Sequence, residues 1–323
     1  MEFDFFKTFS INLDLAVEAR EVVRGKTGQE IPGAQVSTEK YDQAEVTIVQ
    51  IMDEKAAAIM GKPIGKYITI EAPAIRENNG RAHKDITEVL SQQLTKLFKI
   101  SMESNVLVVG LGNWNATPDA LGPKVVEQTL VTRHLFNYAP QELQGGMRPV
   151  SALAPGVLGT TGIETAEIIK GAVDRVQPDL VIAIDSLAAR NVTRIATTIQ
   201  MADTGVNPGS GIGNQRMGIN QETLGCPVIA IGVPTVVNAA FICKDALDSY
   251  LKQTGNYIPQ QGQMDPTVKD AIETVLNPFG GDLTVTPKEV DILIDTTAKI
   301  VSGGISMSLH PGISSEDYAF YLH

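Results

Sequence analysis

Cysteine, histidine and basic charge are scarce in this chain of 323 residues, which holds 2 Cys, 4 His and 26 Lys plus Arg against 37 Asp plus Glu. Cys226 and Cys243 are too few for a disulfide framework or a Cys-rich zinc site, and read as small buried apolar groups in a reducing compartment. The formal net charge of −11 argues against a broad phosphate-binding surface, so no direct nucleic-acid partner is expected, while a local basic groove stays open. No stretch approaches the ~18 uninterrupted apolar residues of a spanning helix. The start, Met1-Glu-Phe-Asp-Phe-Phe-Lys7, lacks the basic and apolar regions of a secretion signal. These absences predict a cytoplasmic protein with no membrane partner. His83, His134, His310 and His323 are scattered, and each reads as a surface or satisfied core side chain rather than a metal ligand.

What is present is apolar bulk, 43 % of residues, enough for a large core. Three runs, Val106-Leu-Val-Val-Gly110, Leu180-Val-Ile-Ala-Ile-Asp185 and Val228-Ile-Ala-Ile-Gly-Val233, show no alternation with polar residues. That is the pattern of strands covered on both faces of a parallel sheet. Helical patterns follow at 119–130, 163–177 and 235–252. The alternation predicts an α/β fold: a doubly wound, mostly parallel sheet flanked by helices. Ahead of this core, 44–51 and 66–72 read as strands with a helical 53–60 between them, and an amphipathic helix is expected around 85–99. Behind it, 266–276 and 287–301 read as helices with Pro266 and Pro287 in their first turns. No repeat or low-complexity linker divides the chain, so one domain is expected. A stretch rich in Phe (Phe3, Phe5, Phe6, Phe9) precedes it as a docked extension, followed by a helix-like stretch from Leu13 to Val23.

In open α/β sheets ligands gather beyond the carboxyl ends of the strands, which directs attention to 110–123, 184–190 and 231–238. Asp185 ends an otherwise apolar strand, and a carboxylate there must be solvated, paired or used, because burying it alone costs several kcal/mol. Asp119 has two readings: it complements the positive end of a helix capped by Thr117 and opened by Pro118, or it joins Asp185 as a water-activating pair. Other chemistries fit less well. Gly110-Leu-Gly112 begins like a dinucleotide fingerprint, but Asn115 stands where the third Gly belongs. There is no phosphate-binding Walker loop, no His-Glu-x-x-His helix and no Gly-x-Ser-x-Gly elbow. Gly209-Ser-Gly211 has no His near it in sequence and reads as a loop. The glycines of 156–162 and 205–214 either offer backbone N–H groups to an extended peptide or serve the turns alone.

Five blocks carry a resemblance: Leu13-Asp-Leu-Ala-Val-Glu-Ala19, Ala154-Pro-Gly-Val-Leu-Gly-Thr-Thr-Gly-Ile-Glu-Thr165, Ala183-Ile-Asp-Ser-Leu-Ala-Ala-Arg190, Asp203-Thr-Gly-Val-Asn-Pro-Gly-Ser-Gly-Ile-Gly-Asn214 and Ile229-Ala-Ile-Gly-Val-Pro-Thr-Val-Val237. They resemble the signature blocks of the spore germination protease family, from about residue 13 to the last helix. The resemblance implies an aspartic-type endopeptidase that starts the digestion of small acid-soluble spore proteins in the spore core. It further implies a homotetramer made as a self-processing zymogen. Its two proposed catalytic acids fall on Asp119 and Asp185. Residues 1–12 would be the propeptide, cut near Ile11, Asn12 and Leu13, and 13–323 the single peptidase domain. The family is also similar in core fold to hydrogenase maturation endopeptidases, which carry acidic ligands on two strand-end loops and a His on a third. Here that third loop, Gly232-Val-Pro-Thr-Val-Val-Asn238, has no His. No cofactor is therefore expected, with a metal not excluded, and Asn238 is given no catalytic role. The rivals are a metal-dependent maturation-type peptidase, a non-catalytic binder of the same spore-core partners and, more weakly, a nicotinamide enzyme.

Overall fold

The three apolar runs form adjacent strands, and their odd and even residues divide between two layers of helix. The computed structural model describes residues 5, 6, 9, 12–138, 146–208, 216–255, 265–281 and 283–312. Its strands are β1 (Ala34–Lys40), β2 (Glu45–Ile51), β3 (Gly65–Glu71), β4 (Val106–Gly110), β5 (Val150–Leu153), β6 (Leu180–Ala189), β7 (Thr198–Ala202), β8 (Val228–Asn238) and β9 (Thr284–Val285). They lie in one sheet in the order β1-β2-β3-β7-β8-β6-β4-β5, with β9 on β8.

The sheet is mixed, which corrects the expectation of a mostly parallel one. β8, β6, β4 and β5 are parallel neighbours, while β1, β2, β3, β7 and the β7–β8 and β8–β9 joints are antiparallel. The antiparallel half was hard to read because β1, Ala-Gln-Val-Ser-Thr-Glu-Lys, is a polar edge strand, and edge strands are blunted by charge. β7, Thr-Ile-Gln-Met-Ala, carries two polar residues yet is buried throughout.

Helices cover both faces of the parallel half. They are α1 (Ala16–Thr27), α2 (Glu54–Met60), α3 (Gly80–Thr95), α4 (Leu121–Glu127), α5 (Thr165–Val176), α6 (Ala239–Gln253), α7 (Pro266–Leu276) and α8 (Val290–Leu309), with short turns between. Val106, Val108, Ile182 and Ile184 meet α3, α4 and α8. Their neighbours Leu107, Val109, Val181 and Ala183 meet Ala166, Ile169 and Val173 of α5. This is the period-2 division of a strand buried on both sides.

Several boundaries differ from the sequence reading. α3 begins at Gly80 because the Asn79 side chain accepts the Ala82 N–H at 3.2 Å. α8 starts after Pro287, not on it, and runs through Ser302-Gly303-Gly304 to Leu309. A Cβ on Gly304 would stand 2.6 Å from Leu90 Cδ2, so this glycine is where α8 and α3 approach closely. The stretches 184–190 and 231–238, expected as loops, mostly continue β6 and β8.

The described residues of the N-terminal extension are docked, as expected. Phe5 is buried against Phe241 of α6, with ring centroids 5.4 Å apart, and Phe6 and Phe9 complete the aromatic cluster. Among the described residues, no helix is long and apolar enough to cross a membrane.

Candidate active site

β4 stops at Gly110, which pairs with Ile184, while β6 runs on. Asp185 is therefore the first β6 residue beyond the end of β4, on the face shared with Val181 and Ala183. It is only 5 % exposed. Across the other edge its partner is Gly232 of β8, where a Cβ would come within 2.4 Å of Leu187.

The chain leaving β4 turns sharply and returns. Gly112 has φ +116°, and a Cβ there would meet Asp119 O at 2.0 Å; one on Gly110 would meet Gly122 O at 2.1 Å. The Asn113 N–H donates to Asp119 O at 3.0 Å. The glycines that imitate a dinucleotide fingerprint thus serve to fold this loop onto the start of α4. Asp119 ends a short 3-10 turn, Thr117–Asp119, ahead of α4, and Thr117 makes no capping hydrogen bond there. The Thr117 cap is therefore absent, while Asp119 stands just ahead of the first turn of α4. Its side chain enters a cavity of about 270 Å3 that it shares with Asp185.

Two further charged groups line that cavity, and sequence reasoning named neither: Asp14 and Arg216. Asp14 arrives on the extended residues before α1, which opens at Ala16 rather than at Leu13. Its Oδ2 accepts the Ala188 N–H at 2.9 Å. Its carbonyl accepts from Lys62 Nζ at 2.8 Å and Gln200 Nε2 at 3.1 Å, and Gln200 Oε1 accepts the Ala16 N–H at 2.6 Å. The Gln200 amide thus brackets the main chain at 14 and 16 as a neighbouring strand would. No pattern near Asp14 could have flagged it, since Leu13-Asp-Leu-Ala reads as the start of a helix-like stretch.

The electrostatics separate the two acids. Burial raises the pKa of Asp119 to about 6, against the pull of the Asn113 N–H and Arg216. Asp185 is pushed well above the usual carboxylate range, first by burial and then by Asp119 and Asp14. The Ser186 N–H, 2.9 Å from Asp185 Oδ1, and Arg216 only partly offset this. Two acids whose surroundings raise both pKa values to different degrees can divide the roles of base and acid.

Of the remaining sequence-selected residues, Asn12 and Leu13 lead directly into Asp14, and Ile11 lies outside the described residues, as do 209–215. Asn238 caps α6, accepting the Ala240 N–H at 2.9 Å. Among the described residues no three His, Cys, Asp or Glu side chains are grouped to hold a metal ion.

The comparison with known proteins agrees with the sequence blocks. A sequence model of the germination protease matches residues 13–267 and 260–322. The chain belongs to the germination protease family. It is 46 % identical over 322 residues to the germination protease of Clostridium tetani, covering 97 % of this chain and 100 % of that one. It is 47 % identical over 321 residues to that of Caldanaerobacter subterraneus, covering 97 % and 98 %, and 41 % identical over 362 residues to that of Priestia megaterium, covering 98 % of each. Membership in the germination protease family bears out the expectation of an endopeptidase of germination.

Proposed function

We propose that this chain is the zymogen of an aspartic-type endopeptidase whose working pair is Asp119 and Asp185. The observation that carries the reading is the meeting of these acids, from the β4 loop and from β6, in one cavity with unequal surroundings. Asp119, the more exposed of the pair, is the base; Asp185, enclosed on β6, is the acid. A water placed between them gives one proton to Asp119 while its oxygen attacks the scissile carbonyl carbon. Asp185 gives its proton to the departing nitrogen as the C–N bond breaks, leaving a carboxylic acid and an amine. The parallel order β5-β4-β6-β8, with acids beyond β4 and on β6, supports a core similar to that of hydrogenase maturation endopeptidases.

The resemblance supplies the rest of the proposal: a propeptide of residues 1–12 on a peptidase domain of 13–323, a cut near Ile11 to Leu13, a homotetramer in the spore core, and small acid-soluble spore proteins as substrates. The docking of Phe5 and Phe6 on Phe241, with Phe9 against Phe5, supports an extension held in place before processing.

The test is incubation of the full chain and of its Asp185→Asn variant, followed by mass spectrometry. The variant folds and stays whole, whereas the parent loses its N-terminal piece and then digests an acid-soluble spore protein. Normal self-processing by the variant would remove Asp185 from the mechanism, and a trimmed protein that leaves the spore protein whole would be a binder. Loss of activity on chelation with recovery on adding metal would favour the maturation-type reading.

A further inference from the structure

The end of β4 leaves one edge of β6 without a strand. Gly110, the last residue of β4, pairs with Ile184, and the Leu111 N–H donates to Ile184 O at 2.8 Å. The even residues of β6 therefore turn their main-chain groups toward β4, and Ser186 and Ala188 turn theirs toward the place where β4 would have continued. β8 pairs with the other edge as far as Ala189, so among the described residues 186–189 have a strand on one side only. An open edge of this kind is a template for a further strand. It borders the cavity of the acids, with Leu111, Gly112 and Asp119 on one side and Ser186, Leu187 and Ala188 on the other.

Acid side chains take the places that the carbonyls of a neighbouring strand would occupy. Asp14 Oδ2 accepts the Ala188 N–H at 2.9 Å, and Glu18 Oε2 accepts the Arg190 N–H at 2.9 Å, two residues further on, the interval at which a strand repeats. The two acids differ in surroundings. Glu18 is fully enclosed and faces Arg194. Asp14 stands between the cavity of the acid pair and a second one of about 110 Å3, whose wall includes Lys62, Tyr67, Gln200 and Asn220. Asp14, Leu187 and Asn207 line both cavities and so form the partition between them.

We propose that the open β6 edge at Ser186 and Ala188 binds the main chain of the substrate as an added strand, and that the Asp14 carboxylate holds the substrate's place on the Ala188 N–H in the unprocessed chain. This rests on the peptidase reading above and gives it a substrate track. Strand addition draws affinity from main-chain hydrogen bonds and specificity from pockets for alternate side chains. The ligand class is therefore an extended, unfolded peptide segment, which brings its alternate side chains to the face of Asp185 and Leu187, where the two cavities lie.

The test measures, by calorimetry, the binding of an acid-soluble spore protein to the full chain carrying Asp185→Asn, which leaves both proteins whole. Adding Asp14→Ala frees the Ala188 N–H, while Lys62 and Gln200 still hold the carbonyl of residue 14. Binding is expected to tighten about tenfold, the weight of one hydrogen bond to a charged group that no longer has to be broken. Asp14→Asn removes the same charge but keeps an accepting oxygen, and gains clearly less. Ala188→Pro added to D14A/D185N deletes the N–H on the open side, spares the ladder to β8 and returns binding to the D185N level. Should that variant fail to fold, hydrogen exchange at the Ala188 amide of D14A/D185N takes its place: the amide exchanges faster than in D185N, and bound spore protein slows it again.

Unchanged affinity in D14A/D185N overturns the proposal, as do equal gains from D14A and D14N, which would assign the effect to charge. Undiminished binding by the Ala188→Pro variant, or an Ala188 amide that bound spore protein leaves unprotected, overturns it too. The processed parent is assayed alongside. A parent that digests the spore protein while the D14A comparison fails sinks only this inference, and a parent that leaves it whole sinks the peptidase reading.

Discussion

Two buried acids, Glu18 on α1 and Asp185 on β6, are treated in opposite ways by the same molecule. Burial raises the pKa of both. Glu18, with 0 % exposure, is met by the Arg190 N–H at 2.9 Å, the Asn191 N–H at 3.2 Å and the Arg194 guanidinium at 3.4 Å. Arg194 is held in turn by Glu21 and Glu71. Asp185 receives one N–H from its own neighbour and faces two further carboxyls across a cavity. A buried charge that is surrounded by donors locks an element in place; one that is crowded by like charges is kept at a cost, and such costs collect where chemistry is done.

That contrast is sharpest in stability. Arg194→Met should be the most damaging change, because it removes the cation facing a buried carboxylate; breaking such a pair costs about 3–5 kcal/mol. Urea unfolding at neutral pH checks this, and a loss below about 1 kcal/mol would place the pair with weak surface bridges. Asp185→Asn should move the other way. An acid with a raised folded pKa binds its proton more tightly in the folded state, so the parent loses stability as pH rises from the unfolded value toward the folded one. The Asn variant escapes that loss. It should therefore be more stable than the parent at about pH 8 and no more stable at about pH 3, while being inactive.

Asp119→Asn should show a smaller version of the same effect. Its window is defined by its rise from 3.8 to about 6. The gain grows between those values and then levels off, at about 1–2 kcal/mol once solvent screening of a partly exposed group is allowed for. Melting curves across that range would show it, and a variant less stable than the parent at neutral pH would mean that Asp119 is structurally paired.

The sequence disclosed the two acids of the candidate pair and concealed the rest of the cavity for definite reasons. Asp185 was legible because an acid closing the run Leu-Val-Ile-Ala-Ile has no place in a core, and Asp119 because it lies in the stretch beyond the end of the first apolar run. The parallel strands were legible from their unbroken apolar runs. β7 was not, because Thr198 and Gln200 break its pattern, although Gln200 is the side chain that brackets residues 14 and 16. Asp14 looked like part of a helix, and its place in the cavity depends on α1 starting two residues beyond it. Thr235 sits inside Gly-Val-Pro-Thr-Val-Val as an ordinary strand residue; only strand pairing shows it to be the extra residue of a bulge.

The smallest expected effects are also the most direct measure of how the acids are poised. Asp14 raises Asp185, whereas Arg216 lowers both Asp119 and Asp185. Both line the cavity, with Lys62 held on the far side at the Asp14 carbonyl. Asp14→Asn keeps an oxygen to accept the Ala188 N–H and removes a negative charge, so the pH profile of hydrolysis should move down. Arg216→Gln removes the positive charge and should move the profile up. Each shift is expected to be within about one pH unit, or about tenfold in rate on the acidic limb. Neutral variants at two positions that displace the same profile in opposite directions cannot be explained by general damage, which lowers rates at every pH alike. Displacement of both in the same direction would mean that the charges in this cavity do not tune the pair.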